Sequence, residues 1–314
     1  MKKVIVAQKA NEKLIEKLRE VAEPILMQEG DLDTLEKEIG QATAIILGTW
    51  LKFDKGWIDK APNLKVISRT GVGVDNVNVA YATEKDIIVL NTPKANAISV
   101  AEHTVALICA LAKFTGYLDK QVRDNNFKAR RLNLPIDLDG KTLGLLGYGN
   151  IGKLVALKCH YAFNMKVIAF DPFVKEAEDY VTLVPTEDEI YKEADFISIH
   201  LPLLPETKDL INEEAIATMK EGVFIVNTSR GGIVNEAALV KAIENGKLAG
   251  AGLDVFETEP PDQDSELLKS DKVILTPHSA ALTKECTLRV AECAFDGVID
   301  YIQGKTPEFI YNRK

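Results

Sequence analysis

The sequence predicts an α/β protein built from two doubly wound parallel sheets, one in each of two domains. Short runs of β-branched and aliphatic residues alternate with helical patterns from residue 3 to residue 90, and the alternation restarts after residue 140. Such a rhythm indicates parallel sheets flanked by helices. The length of 314 residues agrees with this, since it corresponds to about two domains that can each bury a core.

The first alternation contains five predicted strands and three predicted helices. The strands are predicted at 3–7, 24–27, 44–47, 65–68 and 87–90, and the helices at 11–20, 32–39 and 57–60. A long, mostly apolar helix is predicted at 99–114. The polar stretch 119–139 that follows is predicted to be a connector and not a core element.

The second alternation begins with a predicted strand at 142–146. Further strands are predicted at 166–170, 196–200, 223–227, 249–253 and 273–275, and helices at 151–161 and 236–245. A final helical pattern covers 281–303. The second series therefore repeats the architecture of the first.

Charge and cysteine content argue against several classes of partner. Acidic residues number 47 against 38 basic ones, so the formal net charge is −9, which opposes binding to nucleic acid and to anionic membrane surfaces. No apolar run approaches the roughly 18 residues of a membrane span, and the N-terminus has no secretory apolar segment. The lack of a secretory segment predicts a cytoplasmic location. The four cysteines form no C-x-x-C pair, so we expect reduced packing residues and no metal site.

A glycine-rich turn follows the predicted strand 142–146. Gly147, Gly149 and Gly152 form a G-x-G-x-x-G motif, which permits a tight turn, the approach of a pyrophosphate to the backbone and close helix packing. Asp171 ends the next strand, 19 residues after the last glycine, where a carboxylate binds ribose hydroxyls and repels a 2′-phosphate. The pattern predicts a Rossmann-like domain that binds NAD rather than NADP. A plain strand–turn–helix with a solvent-facing Asp171 is the alternative.

Arg230, Glu259 and His278 each lie a few residues beyond the end of a different predicted strand. Ligands of open α/β sheets bind beyond the carboxyl ends of the strands, so we expect these side chains to face one cofactor. The trio suits hydride transfer at a carbon that bears a hydroxyl group next to a carboxylate, with nicotinamide as the redox group. The alternatives are that Arg230 is a partner in a surface ion pair, that Glu259 is a solvated acid of a loop, and that His278 is a loop histidine whose hydrogen bonds are satisfied locally.

Each member of the trio has a predicted part in that chemistry. Arg230 offers a planar fork of donors that binds the carboxylate and polarises the adjacent carbonyl oxygen. His278 removes and returns the hydroxyl proton. Glu259 favours the imidazolium and fixes which ring nitrogen faces the substrate.

Further motifs extend over most of the chain. They read RTGVGVDN at 69–76, NAISVAEH at 96–103, GKTLG at 140–144, HLPL at 200–203, NTSRGGIVNE at 227–236, LDVFETEP at 253–260 and TPH at 276–278. Together with the glycine motif they resemble the D-isomer-specific 2-hydroxyacid dehydrogenases. The resemblance implies an NAD-dependent enzyme that interconverts a D-2-hydroxy acid and its 2-keto acid, with two Rossmann-like or flavodoxin-like domains.

The resemblance also implies roles for individual residues. Arg230, Glu259 and His278 take the catalytic roles, and Val72 and Gly73 approach substrate and nicotinamide through backbone groups. The implied cofactor contacts are Gly147, Gly149, Asn150, Ile151, Gly152, Asp171, Leu201, Thr228, Ser229, Asp254 and Val72. The implied domains are a substrate-binding domain at 1–98 plus 283–314 and an NAD-binding domain at 99–282, and the region 99–114 is implied to support a homodimer.

Departures from the family pattern concern the substrate. Phosphoglycerate dehydrogenases of this family usually place an Arg-Ser pair after the third strand, whereas this chain reads LGTWLK at 47–52, so a phosphate anchor is absent unless Lys52 replaces it. Because the chain stops at residue 314, we expect a short form without a regulatory extension.

Three alternatives to the general prediction stay open. One is specifically a D-3-phosphoglycerate dehydrogenase. Another is formate or phosphite oxidation, although a formate dehydrogenase would be expected to pair its histidine with Gln rather than with Glu259. The third is an NADH-sensing interaction protein of the corepressor type, for which long disordered tails would be expected.

The remaining histidines are predicted to be structural. His200 ends the strand 196–200 and lies near the cofactor by topology, so a structural role or one on the adenine side of the cofactor is expected rather than catalysis. His103 falls within the apolar helix 99–114 and is expected to be a packing or interface residue. His160 lies late in the helix after the glycine motif, where a cation complements the helix dipole. Asn164 stands where members of the family usually have a glycine, and Asn tolerates the left-handed conformation that such a helix end requires.

Overall fold

The computed structural model describes residues 1–132 and 134–313. The chain divides into two compact units, Met1–Asn96 together with Leu282–Lys314, and Ala97–Ala281. Each unit is a parallel sheet with helices, so the predicted fold class is confirmed. The predicted domain boundaries lie two residues and one residue from these divisions.

The elements are numbered in chain order. Residues 1–96 form β1 (Lys3–Ala7), α1 (Glu12–Arg19), β2 (Glu23–Leu26), α2 (Leu32–Glu38), β3 (Ala42–Leu47), α3 (Lys55–Asp59), β4 (Val66–Arg69), α4 (Val79–Glu84) and β5 (Ile88–Leu90). Residues 97–281 form α5 (Ala97–Ala112), α6 (Thr115–Arg123), β6 (Thr142–Leu146), α7 (Asn150–Phe163), β7 (Lys166–Phe170), β8 (Val181–Leu183), α8 (Glu187–Glu193), β9 (Phe196–Ile199), α9 (Glu213–Thr218), β10 (Val223–Asn227), α10 (Glu236–Glu244), β11 (Leu248–Leu253) and β12 (Val273–Leu275). The last segment forms α11 (Lys284–Ile302), and 3-10 turns lie at Ile39–Gln41, Phe127–Arg131 and Glu266–Lys269.

The first unit is a five-stranded parallel sheet in the order β2-β1-β3-β4-β5. Its central strands β1 and β3 are buried along most of their length, which is typical of a parallel sheet covered by helices. The helix α11 returns to this unit from the far end of the chain. Ser68 of β4 donates a hydrogen bond of 3.0 Å to the carbonyl of Ala294, and Phe295 is fully buried. Both ends of the sequence therefore build one core.

The second unit is a seven-stranded parallel sheet in the order β12-β11-β10-β9-β6-β7-β8. The strand order reverses between β6 and β9, and open α/β sheets bind ligands in the crevice at such a reversal. The helix α5 packs closely on this sheet, since a side chain at Gly252 of β11 would lie 3.2 Å from Leu107. The crevice at the carboxyl ends of β6 and β9 is thus the first place to look for a ligand site.

Short elements are present that the periodicity does not predict. α4, β8, α8 and α9 have three to seven residues and bury one or two side chains each. A hydrophobic period needs several turns to become visible, so such elements leave no clear pattern. The stretch 119–139, predicted to be a connector and not a core element, contains the second half of α6 and the turn at Phe127–Arg131. α6 buries no side chain, and the turn buries Ala129.

The helix α7 ends as predicted. Asn164 is its C-cap residue and has φ +52° and ψ +35°, the left-handed conformation that Asn tolerates. The backbone N–H of Asn164 donates to the carbonyl groups of Cys159 and His160 in the last turn. The prediction for Asn164 is therefore confirmed.

The cysteines and the longest helices concern the expectations of reduced thiols and of no membrane span. Cys109, Cys159, Cys286 and Cys293 are all free thiols. Within residues 1–132 and 134–313, no single helix is long and apolar enough to cross a bilayer. α5 and α6 reach that length and apolarity only as a pair, and the pair is bent by 59°.

Candidate active site

The glycine motif forms the glycine turn (residues 147–152) between β6 and α7. Gly147 has φ +96°, and a side chain there would lie 2.6 Å from the carbonyl oxygen of His200. A side chain at Gly152 would lie 2.4 Å from the carbonyl oxygen of Gly147, so both positions require glycine for packing. A side chain at Gly149 would meet no described atom within 4 Å. The turn therefore leaves space beside Gly149 that a Cβ would fill and a ligand can enter.

The start of α7 adds hydrogen-bond donors to this space. Gly149 is the N-cap residue of the helix, and Asn150 and Ile151 are its first two residues. The first amides of an α-helix have no acceptor within the helix, and the helix dipole favours an anion there. The residues predicted to hold a cofactor pyrophosphate thus fit that group in shape and in charge.

Asp171 lies directly after β7, beside the glycine turn. One of its carboxylate oxygens accepts a hydrogen bond from the Tyr148 amide at 2.9 Å, and the other accepts from the Phe173 amide at 3.0 Å. Tyr148 is fully buried, and its hydroxyl donates to Glu178. Burial raises the pKa of Tyr148, while the hydrogen bond from Tyr148 holds the pKa of Glu178 below its usual range. The hydrogen bond from the Tyr148 amide holds the carboxylate of Asp171 against the glycine turn.

Arg230 lies in the loop after β10, and Asn227 organises that loop. Asn227 ends the strand with 1% of its surface exposed. Its side-chain amide donates to the carbonyl of Arg230 at 2.8 Å, and its oxygen accepts from the amide of Ser229 at 3.0 Å. The Arg230 guanidinium donates to the carbonyl of Ser229 at 2.7 Å. The sequence predicts no role for Asn227, although an amide side chain that ends an apolar strand is a usable signal for a loop anchor.

Glu259 and His278 form a hydrogen-bonded pair beyond the ends of β11 and β12. His278 Nδ1 lies 2.7 Å from Glu259 Oε2, and the amide of Phe256 donates to Glu259 Oε1 at 3.2 Å. Because an ionised carboxylate only accepts hydrogen bonds, Nδ1 of His278 is the donor, and Glu259 fixes the orientation of the ring. The side chain of His278 is 50% exposed. A group that exchanges protons with a ligand needs such access.

The loops that contain these residues adjoin one another. A side chain at Gly231 would lie 1.7 Å from the carbonyl oxygen of Phe256. The loop that contains Arg230 therefore packs directly against the loop that contains Glu259, and only glycine fits between them. The structure brings Arg230, Glu259 and His278 onto adjoining loops of the second unit.

A second contact joins the same two loops. The amide of Glu236 donates to Glu257 Oε1 at 2.8 Å, and the amide of Glu257 donates to Glu236 Oε1 at 2.7 Å. Burial raises the pKa of the Glu236 carboxyl. These two reciprocal hydrogen bonds link the start of α10 to the loop after β11.

Asp254 lies beneath the loop that contains His278. It is 1% exposed, and its carboxylate accepts hydrogen bonds from the Thr276 hydroxyl at 2.5 Å, the Ser279 amide at 2.8 Å and the Ala280 amide at 2.9 Å. His278 has φ +50°, a conformation that costs a residue other than glycine about 1–3 kcal/mol and persists only where its surroundings hold it. Asp254 anchors both flanks of His278. Its predicted contact with the cofactor stays a prediction.

Other predicted cofactor contacts lie near the same strand ends. Thr228 is buried, and its hydroxyl lies 2.8 Å from that of Thr104 on α5. A side chain at Gly147 would lie 3.2 Å from Leu201, so Leu201 covers the glycine turn. The predicted contacts of Thr228, Ser229 and Leu201 with a cofactor stay predictions.

Val72 and Gly73 lie in the first unit, in the loop after β4. Both are partly exposed, and the Asn91 side chain donates to the carbonyl of Val72 at 2.8 Å. Lys52 follows β3 and is exposed. The indole of Trp50 in the same segment donates to the carbonyl of Ala7 at 2.8 Å. The substrate contacts predicted for Val72 and Gly73 stay predictions.

His200 lies behind the glycine turn. Its Nε2 lies 2.9 Å from the Ser198 hydroxyl, and among the described residues its Nδ1 has no hydrogen-bond partner. Burial lowers the pKa of His200 to about 3, so the ring is neutral at physiological pH. A neutral ring does not carry a proton for catalysis at that pH, and the structural or adenine-side role predicted for His200 stays a prediction.

A cavity of about 430 Å³ adjoins the Glu259–His278 pair. The residues that line it are Phe256, Glu259, Pro260, Pro261, Leu268, Leu275, Thr276, Pro277 and His278. In the part of the chain that the structure describes, no group of three or more His, Cys, Asp or Glu side chains could hold a metal ion.

Comparisons with known proteins agree with this geometry. Residues 105–280 match the model of the D-isomer specific 2-hydroxyacid dehydrogenase, NAD binding domain. The chain is 39% identical over 305 residues to a D-3-phosphoglycerate dehydrogenase of Archaeoglobus fulgidus, and the match covers 96% of this chain and 58% of that protein. It is 44% identical over 263 residues to a hydroxypyruvate reductase of Thermotoga maritima, with 82% of this chain and 84% of that protein covered.

A solved structure agrees over the whole length. The D-lactate dehydrogenase from Aquifex aeolicus, complexed with NAD and lactic acid, is 32% identical and has a TM-score of 0.85, with 99% of each chain covered. The match to the family model covers more than half of this chain. The chain itself spans about three fifths of the length of the Archaeoglobus relative. The chain therefore belongs to the family of D-isomer-specific 2-hydroxyacid dehydrogenases, and residues 105–280 form its NAD-binding domain.

Proposed function

We propose that this protein is an NAD-dependent oxidoreductase that interconverts a D-2-hydroxy acid and its 2-keto acid. The main support is the meeting of loops in the second unit: the Glu259–His278 pair at 2.7 Å, and the Arg230 loop packed against the Glu259 loop. A proton carrier and a carboxylate-binding fork are the two groups that hydride transfer at a 2-hydroxy acid needs from a protein.

The proton moves at His278. In oxidation, its Nε2 accepts the hydroxyl proton of the hydroxy acid as the hydride leaves the same carbon, and in reduction it returns a proton to the carbonyl oxygen. Glu259, bonded to Nδ1, stabilises the imidazolium and keeps the ring in place. Arg230 binds the substrate carboxylate through paired hydrogen bonds and polarises the neighbouring carbonyl oxygen. Val72 and Gly73 are proposed to bind the substrate through their backbone groups.

NAD, when bound, supplies or accepts the hydride. Gly149 and the first amides of α7 would hold its pyrophosphate, and Asp171 would bind the ribose hydroxyls. The Asp171 carboxylate would repel a 2′-phosphate, which favours NAD over NADP. Leu201, Thr228, Ser229 and Asp254 complete the proposed cofactor contacts.

Oxidation of NADH in the presence of glyoxylate, hydroxypyruvate, pyruvate or phosphohydroxypyruvate tests this proposal. We expect turnover of at least one of these acids, and a loss of kcat/KM of roughly 10²-fold in Arg230→Lys, because an ammonium group cannot form the paired bonds. Arg123→Lys is the matched control, since Arg123 is exposed and pairs with Asp119 on α6. Absence of turnover with every 2-keto acid would overturn the proposal.

A second, narrower candidate is a D-3-phosphoglycerate dehydrogenase. The 39% identity to a protein of that name and the exposed cation of Lys52 after β3 support it. The narrower function predicts higher kcat/KM for phosphohydroxypyruvate than for hydroxypyruvate, and a roughly tenfold loss of that preference in Lys52→Ala, because a phosphate loses one charged partner. A wild-type preference for the unphosphorylated acid would exclude it.

We also propose that the protein forms a homodimer and works in the cytoplasm. Exposed apolar side chains after the region 99–114 support the dimer, since Val122, Phe127 and Leu132 are 60%, 64% and 71% exposed. The free thiols fit a reducing compartment. Sedimentation velocity and cell fractionation test the two statements, and a monomeric mass at micromolar concentration would contradict the first.

A further inference from the structure

We propose that His103 is a positioning residue for His278 that acts through Thr276 and Asp254. The inference rests on the proposed function, because it concerns the residue that would move the proton. His103 lies on α5, and its Nε2 is 2.9 Å from the Thr276 hydroxyl and 3.7 Å from Asp254 Oδ1. Within the sequence, His103 and Thr276 are 173 positions apart. This contact goes beyond the packing or interface role that its helical position predicts.

The directions of these hydrogen bonds follow from the chemistry of the groups. The Asp254 carboxylate only accepts, so the single hydroxyl hydrogen of Thr276 points to Asp254 Oδ1 at 2.5 Å. The Thr276 oxygen can then only accept from the histidine, so His103 Nε2 carries a hydrogen and donates it. His103, Thr276 and Asp254 thus form a directed chain of donors that ends on a buried carboxylate.

The carboxylate at the end of this chain holds the backbone on both sides of His278. On one side it accepts from the Thr276 hydroxyl, and on the other side from the amides of Ser279 and Ala280. His278, between them, has φ +50°, which persists only where its neighbours are held. Loosening the Thr276 side would therefore let the imidazole shift. Displacement of a reacting group by about 1 Å can cost roughly 10²-fold in rate.

The helix α5 is a fixed support for this chain of bonds. Thr104, the next residue, shares a hydrogen bond of 2.8 Å with Thr228 after β10. One turn later, Leu107 lies where a side chain at Gly252 of β11 would contact it at 3.2 Å. α5 is thus attached to β10 and β11 directly and to the end of β12 through His103. The histidine transmits the position of a rigid helix to the loop.

Two substitutions separate the hydrogen bond from the bulk of the ring. His103→Leu fills much of the same space without a donor, and His103→Gln keeps a donor at about the reach of Nε2. The matched control is His160→Leu, which removes another partly buried histidine of the same unit, one whose Nδ1 bonds the carbonyl of Met165 at 3.1 Å. Thr276→Val cuts the same chain at its second member and keeps the shape of the side chain.

Hydrogen–deuterium exchange on the protein without cofactor gives a readout that does not depend on activity. In His103→Leu and Thr276→Val we expect the peptide that contains Ser279 and Ala280 to exchange roughly tenfold faster than in the wild type, because its amide acceptor is less well held. His103→Gln and His160→Leu should retain wild-type exchange in that peptide. Wild-type exchange in His103→Leu, or equal acceleration in His160→Leu, would overturn the inference.

Kinetics supply the second readout. We expect kcat for the 2-keto acid to fall roughly 10- to 100-fold in His103→Leu, with the Kd for NADH unchanged and with recovery in His103→Gln. Combining His103→Leu with Thr276→Val should add little further loss, because both cut one chain. A double variant whose loss of kcat equals the product of the two single losses would contradict the inference. If no 2-keto acid is turned over, the proposed function fails, and the exchange experiment still decides the role of His103.

Discussion

The two halves of the second sheet hold sites of different construction. On the side of β6, β7 and β8, one contiguous turn at residues 147–152 forms the proposed dinucleotide site, with Asp171 added from the next strand end. On the side of β9 to β12, Arg230, Glu259 and His278 come from three separate loops. The first site is a property of local backbone, and the second is an assembly.

Different residues hold the two sites in shape. The glycine turn depends on the absence of side chains, because a Cβ at Gly147 or Gly152 would collide with backbone. The assembled site depends on buried polar side chains that hold loops, namely Asn227 for the Arg230 loop and Asp254 for the His278 loop. The difference teaches that a site built from loops needs hydrogen-bonded anchors that need not touch a ligand.

The largest effect is expected from breaking the assembled site alone. His278→Ala should lower kcat roughly 10²- to 10⁴-fold, because proton transfer loses its carrier. The Kd for NADH, measured by fluorescence, should stay at its wild-type value, because the glycine turn is unchanged. Unchanged turnover would remove His278 from the proposed mechanism, and a large loss of NADH affinity would show that the two sites are not separable.

The glycine turn can be sharpened by comparing two of its own members. Gly149→Ala enters open space, so we expect unchanged stability but an NADH affinity lowered roughly tenfold, because the Cβ occupies the ligand side. Gly152→Ala would meet a carbonyl oxygen at 2.4 Å and should lower the free energy of unfolding by about 1–3 kcal/mol. Urea unfolding and NADH titration measure both. Equal effects of the two substitutions on stability would contradict the assignment.

Asp171 gives a smaller and more specific effect. Asp171→Ala removes the carboxylate that would repel a 2′-phosphate, so the ratio of kcat/KM for NADH over NADPH should fall roughly tenfold. The exposed Asp179, for which no hydrogen bond or ion pair is described, supplies the control Asp179→Ala. A ratio that does not move in Asp171→Ala would show that the ribose assignment is wrong.

The remaining prediction concerns stability as a function of pH, an effect that is absent at pH 7.5 and develops below about pH 6.5. Burial lowers the pKa of His200 to about 3, so between about pH 6.5 and pH 3 the unfolded chain binds a proton that the folded chain does not. Stability should therefore fall as the pH decreases below about 6.5, by up to about 1.4 kcal/mol per pH unit from this residue. His200→Gln should flatten that part of the profile in urea unfolding at pH 7.5, 6 and 5. Parallel profiles for both proteins would contradict the assignment.

The strand and helix series, the glycine turn and the left-handed Asn164 were all predictable from the sequence. Each depends on a local property: a repeating hydrophobic period, a steric requirement for glycine, or a preference for one backbone conformation. The short elements such as α9 and the helical α6 were not, because six to nine residues with few buried side chains carry too little periodic signal. Their positions follow from packing against neighbours.

The hydrogen-bond partners of the buried polar residues were not predictable from the sequence either. An amide at the end of β10 and an acid at the end of β11 are visible in the sequence, but nothing local says that Asn227 bonds the Arg230 carbonyl or that Asp254 bonds the Ala280 amide. Those partners depend on how each loop folds back over its strand. His103 shows the same limit, since its helical position suggests packing and its hydrogen bond joins two distant elements.

Sequence information alone specifies the α/β class, the two series of elements and the glycine turn, and it singles out Arg230, Glu259 and His278 as candidate site residues, because periods, glycines and strand ends are short-range features. Only the tertiary structure decides that Arg230 and Glu259 lie on touching loops and that Asp254 holds both flanks of His278. The physical reason is that strand order and helix packing set the distance between residues far apart in the chain. A hydrogen bond forms only where that distance falls to about 3 Å.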